Sequence, residues 1–313
     1  MNQPIPDYYT EHSPFTDPGA YAAYFDDFPN DLPGIVRAIQ GLIIPPYTYT
    51  VAPHGFELAD IKDAGFGVRR MEDFIAKLLD INSAPLNQPR PPRQRLGVNC
   101  RNFATLLVSL LRHQGIPARE RIGFEGYLGD DIFAEHRIAQ VWNMWQGKWF
   151  YIDAFVDPPL KAARDIDINT LDIVEDKDFW PAGLVWLAAR AGNVNPVTFG
   201  DGPEDIGFPA IRYALLHDFD ALNKFEVLGN DVWGALIEKP EADLSADDWA
   251  FLDEVARLTL NPDVNFAAMT ALHMTSNYGE QVRAIASAMD ALRTIKSILQ
   301  GLPSVPDGGK NSE

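Results

Sequence analysis

Apolar residues recur three and four positions apart at Ile35, Val36, Ile39 and Leu42, with Asp31 and Pro33 ahead of them and Pro45-Pro46 behind. That is the pattern of an amphipathic helix with a capped start and a proline stop. The same spacing at Met71, Phe74, Ile75 and Leu78 predicts a second helix over 71–79. A third falls on Cys100, Phe103, Leu107, Leu110 and Leu111, and Gly115-Ile116-Pro117 ends it. Beyond that stop a strand is expected from Ala118 to about Phe124. Ala134 to Trp142 and Lys148 to Asp153 are rich in aromatic and β-branched residues around a Gly-containing turn, a hairpin signal. With a four-residue loop, Asn143 faces Lys148 and Ile138 faces Asp153. Past residue 160 helical periodicity dominates, around 211–222, over 249–258 and in a long last helix over 278–299.

Between these elements the pattern breaks. Residues 1–30 are rich in Pro, Asp and Tyr without periodicity and are expected to form an extended arm. Residues 82–95 hold four prolines and read as an irregular connector. The acidic run from Asp165 to Asp178 reads as a solvated loop, and the tail over 303–313 as disordered. The organisation expected is a core over 31–160 and a mainly helical region over 161–302, with a soft boundary near 160. The tryptophans of that region (Trp180, Trp186, Trp233, Trp249) are expected in its core.

Composition narrows the function. Of 313 residues 46% are hydrophobic and 22% charged, which suits a folded chain rather than a disordered one. A net charge of −18 argues against nucleic acid or an anionic membrane surface as the main partner. The single cysteine, Cys100, rules out an intramolecular disulfide and a cysteine-rich zinc site. Asp165-x-Asp167-x-Asn169 has Thr170 where a calcium loop needs glycine and Asp176 where it needs glutamate, so no metal or cofactor is expected. No basic segment followed by an apolar run opens the chain, and no apolar stretch nears the ~20 residues of a span. A soluble, cytoplasmic protein is expected.

The chemistry gathers between residues 97 and 157. Gly97 and Asn99 are turn and cap residues, which puts Cys100 in the first turn of its helix. Unpaired backbone N–H groups and the helix dipole favour a thiolate at such a position. His136 shares a strand face with Ile138, so it is the diagonal neighbour of Asp153, at roughly 7–8 Å between backbones. A carboxylate there reaches one imidazole nitrogen and leaves the other for Cys100, if the helix packs across that face. Nucleophile, base and a group that fixes the base's tautomer make a triad. Asp157 is the rival for Asp153, and Glu135 should point to the opposite face.

Gly97-Val-Asn-Cys-Arg-Asn-Phe-Ala104, then Leu110-Leu-Arg-His-Gln-Gly-Ile-Pro-Ala-Arg119, a histidine strand, and Lys148-Trp-Phe-Tyr-Ile-Asp-Ala154 resemble the transglutaminase-like branch of the papain-like cysteine enzymes. The resemblance implies an α+β, papain-like core in which the Cys helix packs on an antiparallel sheet. It implies Cys100 as nucleophile, His136 as base and Asp153 as orienter. Many members read His-Ala-Trp at the histidine; here Trp142 lies six residues on, closer to a bacterial subgroup. Asp231-Val-Trp-Gly234 also resembles that subgroup, with no role attached. The resemblance covers amide-forming, amide-exchanging and amide-cleaving enzymes that work through a thioester. An amide-forming acyltransferase with an amine acceptor is the expectation. A peptidase or amidase is its close competitor, and a catalytically silent interaction module stands in another class.

An oxyanion hole needs two donors. The Cys100 N–H is the first, and Gln94, six residues earlier, Asn99 or Trp142 are candidates for the second. Finally, seven arginines and one acid lie between Arg90 and Arg121. With Arg93, Arg95 and Arg101 near the nucleophile, this island could receive an anionic acyl donor, such as a coenzyme A thioester or an acidic carrier protein. The alternative is that the arginines pair internally.

Overall fold

The computed structural model describes residues 7–61, 64–128, 132–202 and 204–301. Its first half runs α1 (Leu32–Leu42), β1 (Ile43–Ile44), α2 (Thr48–Val51), α3 (Met71–Ile81), β2 (Leu96–Gly97) and α4 (Cys100–His113). Three strands and a short helix follow: β3 (Ala118–Glu125), β4 (Phe133–Asn143), β5 (Lys148–Ile152) and α5 (Pro158–Ala163). Next come β6 (Phe179–Pro181), α6 (Ala182–Arg190), β7 (Phe199–Gly202) and β8 (Asp205–Ile206). Four helices close the chain: α7 (Phe208–Leu222), α8 (Ala246–Leu260), α9 (Phe266–Thr275) and α10 (Asn277–Gly301). The architecture is α+β with a mainly helical C-terminal half.

Local chemistry explains the helix ends. The Asp31 carboxylate accepts the Gly34 N–H at 2.8 Å, capping α1 as the sequence suggests. Gly115, at φ +73°, takes the left-handed conformation that ends α4 and lets the chain turn into β3. α4 is nearly all buried, not on one face only. Its polar side chains are therefore satisfied inside: Thr105 Oγ1 donates to Glu120 at 2.8 Å, and Arg112 pairs with Glu226 at 2.9 Å.

One sheet holds the molecule together. β4 is its centre, antiparallel to β3 from Ala118↔Val141 to Glu125↔Ala134. On its other side β5 pairs antiparallel, with Asn143 opposite Lys148 and Ala139 opposite Ile152. That is the expected register, and it brings Ile138 level with Asp153. The start of β4 takes β7 in parallel, β8 joins β7, and β6 lies outside β3. Three strands from beyond residue 160 thus complete a sheet begun before it. One apolar cluster packs α1, α3 and α4 against β4 and β5, and a second packs α6, α7 and α8 on β3.

Two expectations are resolved here. The described part of the N-terminal arm is not extended: it holds 3-10 turns at Asp7–Tyr9 and Gly19–Phe25. Tyr9, Phe15, Phe25 and Phe28 are buried, and the Tyr9 hydroxyl donates to the Leu222 carbonyl at 3.0 Å. Its aromatic residues, not any periodicity, tie it down. The tail over 303–313 lies outside the described residues. Second, of the two readings of the arginine run, internal pairing is the one that the structure shows for most of it. Arg90, Arg101, Arg112, Arg119 and Arg121 are buried. Arg101 spends its guanidinium on the carbonyls of Val68, Arg69 and Glu226. Arg119 pairs with Asp263 at 2.6 Å and Arg121 with Asp218 at 2.9 Å. Arg95 donates to the Arg90 carbonyl, and the exposed Arg93 pairs with Asp60 at 3.0 Å.

Candidate active site

Cys100 is the first residue of α4, and Asn99 precedes it in an extended conformation. The half-buried thiol therefore sits among the free N–H groups of the first turn. It lines a cleft of about 720 Å³ together with His136, Asn99, Glu125 and Phe155. His136 comes from β4, opposite Gly123 of β3. A Cβ at Gly123 would lie 2.3 Å from the Trp180 carbonyl oxygen of β6, so only glycine lets three strands close beside the histidine.

Asp153 follows β5 directly. Its Oδ2 lies 3.1 Å from His136 Nε2, leaving Nδ1 as the nitrogen for the thiol. The same oxygen accepts the Tyr127 hydroxyl at 2.9 Å, and Oδ1 accepts the Phe155 N–H at 2.7 Å. The imidazole is held edge to face between Tyr127 and Phe155, and Phe155 in turn packs on Phe103 of α4. Burial alone would lower the His136 pKa. The Asp153 carboxylate overcomes this, with help from Cys100, and holds the ring well above its usual range. The structure thus brings Cys100, His136 and Asp153 together. Asp157 is elsewhere, capping α5 and pairing with His54 at 2.7 Å.

The candidates for the second oxyanion donor separate. Gln94 is exposed, accepts from Asn82 at 3.0 Å and does not line the cleft. Trp142 packs edge to face on Trp149 and lines a different groove. Neither can serve as placed. Asn99 lines the cleft beside the sulfur, with a buried Oδ1 that has no hydrogen-bond partner. Arg93, Arg95 and Arg101 do not line the cleft.

Some groups of the site carry no motif in the sequence. Glu125 Oε2 accepts the N–H groups of Tyr127 and Leu128, both at 2.6 Å, which fixes the turn that presents the Tyr127 hydroxyl to Asp153. Burial pushes the Glu125 carboxyl up, and it pushes the Tyr127 hydroxyl well above its usual range, so Tyr127 stays a neutral donor. Asp231 gains the role that its motif lacked. It accepts both Arg69 guanidinium nitrogens and the Leu228 N–H at 2.8 Å, tying down the loop whose Gly229 and Asn230 wall the cleft. Among the described residues no cluster of three or more His, Cys, Asp or Glu could hold a metal, and no helix is long and apolar enough to cross a membrane.

Residues 58–154 match the model of the transglutaminase-like superfamily, a segment that contains Cys100, His136 and Asp153. No curated protein matches the chain. A crystal structure from Cytophaga hutchinsonii, described as a candidate cysteine protease, is 18% identical with a TM-score of 0.27. The match covers 50% of this chain and 46% of that one, so it spans less than half of that protein's length. The family match and the α+β architecture agree on one point: the segment over residues 58–154 is similar to the transglutaminase-like superfamily, a superfamily of cysteine-dependent enzymes.

Proposed function

We propose that the chain is an acyl-transfer enzyme working through a thioester on Cys100, with an amine as acceptor. The observation that carries this reading is the line of Asp153, His136 and Cys100 ending on the wall of an open cleft. A protonated imidazole beside the sulfur is the partner that a reacting thiolate needs. The thiolate attacks an acyl carbonyl, and the Cys100 N–H, with Asn99 close by, faces the developing oxyanion. The imidazolium gives its proton to the leaving group as the C–S bond forms and the acyl bond to that group breaks. In the second half the neutral imidazole takes a proton from the incoming amine, which displaces the sulfur as thiolate. Asp153 keeps the ring oriented throughout and Tyr127 keeps Asp153 in place.

Hydrolysis is the second reading, because the cleft is open to solvent along half-exposed rings. Intact mass after incubation with acyl thioesters and with peptides tests both. An acyl adduct on Cys100 is expected, absent in Cys100→Ser and discharged faster by an added primary amine than by water. Discharge at one rate with or without amine supports hydrolysis, and turnover by Cys100→Ser defeats the thioester mechanism.

A further inference from the structure

Five of the seven arginines are buried, Arg93 pairs with Asp60, and Arg93, Arg95 and Arg101 do not line the cleft, which presents a different chemistry. Tyr47 and Tyr49 form part of its wall, stacked with ring centroids 5.6 Å apart and planes 4° from parallel, both about 39% exposed. Asp201 and Glu135 line the same cleft. So does Glu125, 0% exposed, with Oε2 tied to backbone and the buried Oε1 without a partner. A buried acceptor left unmatched is costly unless a ligand or water completes it. The cations of the cleft are already committed. Arg137 donates to Glu135, to the Val227 carbonyl and to His217, and Arg164 donates to the Leu128 carbonyl. The Arg164 guanidinium also lies 5.4 Å from the Tyr49 ring centroid, so this wall already accommodates a cation on an aromatic face.

We propose that the cleft takes a substrate carrying a non-reacting organic cation, an ammonium or guanidinium, held between the carboxylates of Asp201, Glu135 and Glu125 and the rings of Tyr47 and Tyr49. Faces of electron-rich rings and carboxylate oxygens attract the same ligand; Glu135 shares its charge with Arg137, whereas the buried Glu125 Oε1 has no partner. The anionic acyl donor that the arginine run suggested is the opposite of what these walls fit. The proposal rests on the catalytic reading only in calling the ligand a substrate.

Cys100 is the only thiol, so its covalent labelling samples this cleft without any turnover. The probes are trimethylammonioethyl methanethiosulfonate and its sulfonatoethyl counterpart, each rate divided by that reagent's rate with 2-mercaptoethanol. At low salt the cationic reagent is expected to win by about tenfold or more. Asp201→Lys, and separately the near-isosteric Glu125→Gln, should bring the ratio toward one. Asp80→Lys, an equal charge change on α3 outside the cleft, should leave it in place. Both reagents report on one sulfur, so a change in the reactivity of the thiol itself cancels in the ratio. Failure here is therefore separable from failure of the catalytic reading. Equal rates in the unmodified protein, a preference for the anion, or a preference lost as fully in Asp80→Lys as in Asp201→Lys overturns the proposal.

Discussion

Asp153 divides one oxygen between His136 and Tyr127, so removing either donor alters the hold on the other. Tyr127→Phe keeps the ring that flanks the imidazole and deletes only the hydroxyl. A loss of about 1.5–3 kcal/mol in urea unfolding is expected, the usual worth of a hydrogen bond to a charged group. A fall in kcat/KM should accompany it. An unchanged midpoint would mean that the hydroxyl is bystander to Asp153. Asp201 supplies a pH expectation. Partial withdrawal from water, with Glu135 and Asp205 nearby, raises its carboxyl to about 6, while Arg137 and His136 pull the other way. As pH rises from the ordinary carboxylate range through about 6, the native state holds this proton longer than the unfolded chain does, so Asp201 subtracts stability over that window. Its charge, and with it the cation preference of the cleft, should fade as pH falls below about 6, read from the same labelling ratio. The triad was legible because Cys100 opens a helix, His136 lies in a strand and Asp153 directly follows one, so local periodicity sets where each points. Gln94 failed because a proline-rich connector leaves side-chain direction open. Trp142 failed because six residues of strand span about 20 Å, away from His136. Glu125 and Tyr127 lie where β3 gives way to a turn, and no spacing rule announces a carboxylate that grips two backbone amides.

At the level of elements, buried charge pairs clamp the sheet to its helices. Arg121 of β3 meets Asp218 of α7 through two guanidinium nitrogens, and Asp218 also accepts the Ile122 N–H at 2.9 Å. Asp218→Asn leaves a buried guanidinium without its counter-charge and should cost about 3–5 kcal/mol. Urea denaturation checks this, and a cost under 1 kcal/mol would show that water reaches the pair. Gly123→Ala forces a Cβ against the β6 backbone and should displace β6 from β3, lowering both stability and labelling of Cys100. The Asp231 tether is expected to act on the site more than on the fold: Asp231→Asn weakens the Arg69 ion pair and should raise KM with little change in Tm. Periodicity revealed α1, α3, α4 and the β4–β5 register because each is a local pattern. The arginine run left two readings open because charge counted along a chain does not say which side of a helix or strand carries it; internal pairing holds for Arg112, Arg119 and Arg121.

For the whole molecule, the consequence of a shared sheet is that the chain should not divide near residue 160. β6 and β7 pair with strands from the first half, β8 joins β7, and α6 and α7 cover β3. A fragment ending at residue 160 would expose that side of β3 and the edges where β6 and β7 belong. It should show no cooperative unfolding transition by circular dichroism; a sharp transition would mean that the first half folds alone. This unity was hidden because the C-terminal strands are two to four residues long, and β7 carries two glycines. Such short runs give no alternation to read. Buried aromatics likewise hold the N-terminal stretch, which lacks any period.

The most direct measurement is the rate of Cys100 alkylation by iodoacetamide, a neutral reagent, followed from pH 5 to 9 in the intact protein and in His136→Ala. An imidazole that acts on the sulfur requires faster reaction in the intact protein than in His136→Ala, by at least about tenfold at pH 6. Superimposable profiles for the two proteins would contradict it, since the sulfur would then react without the imidazole.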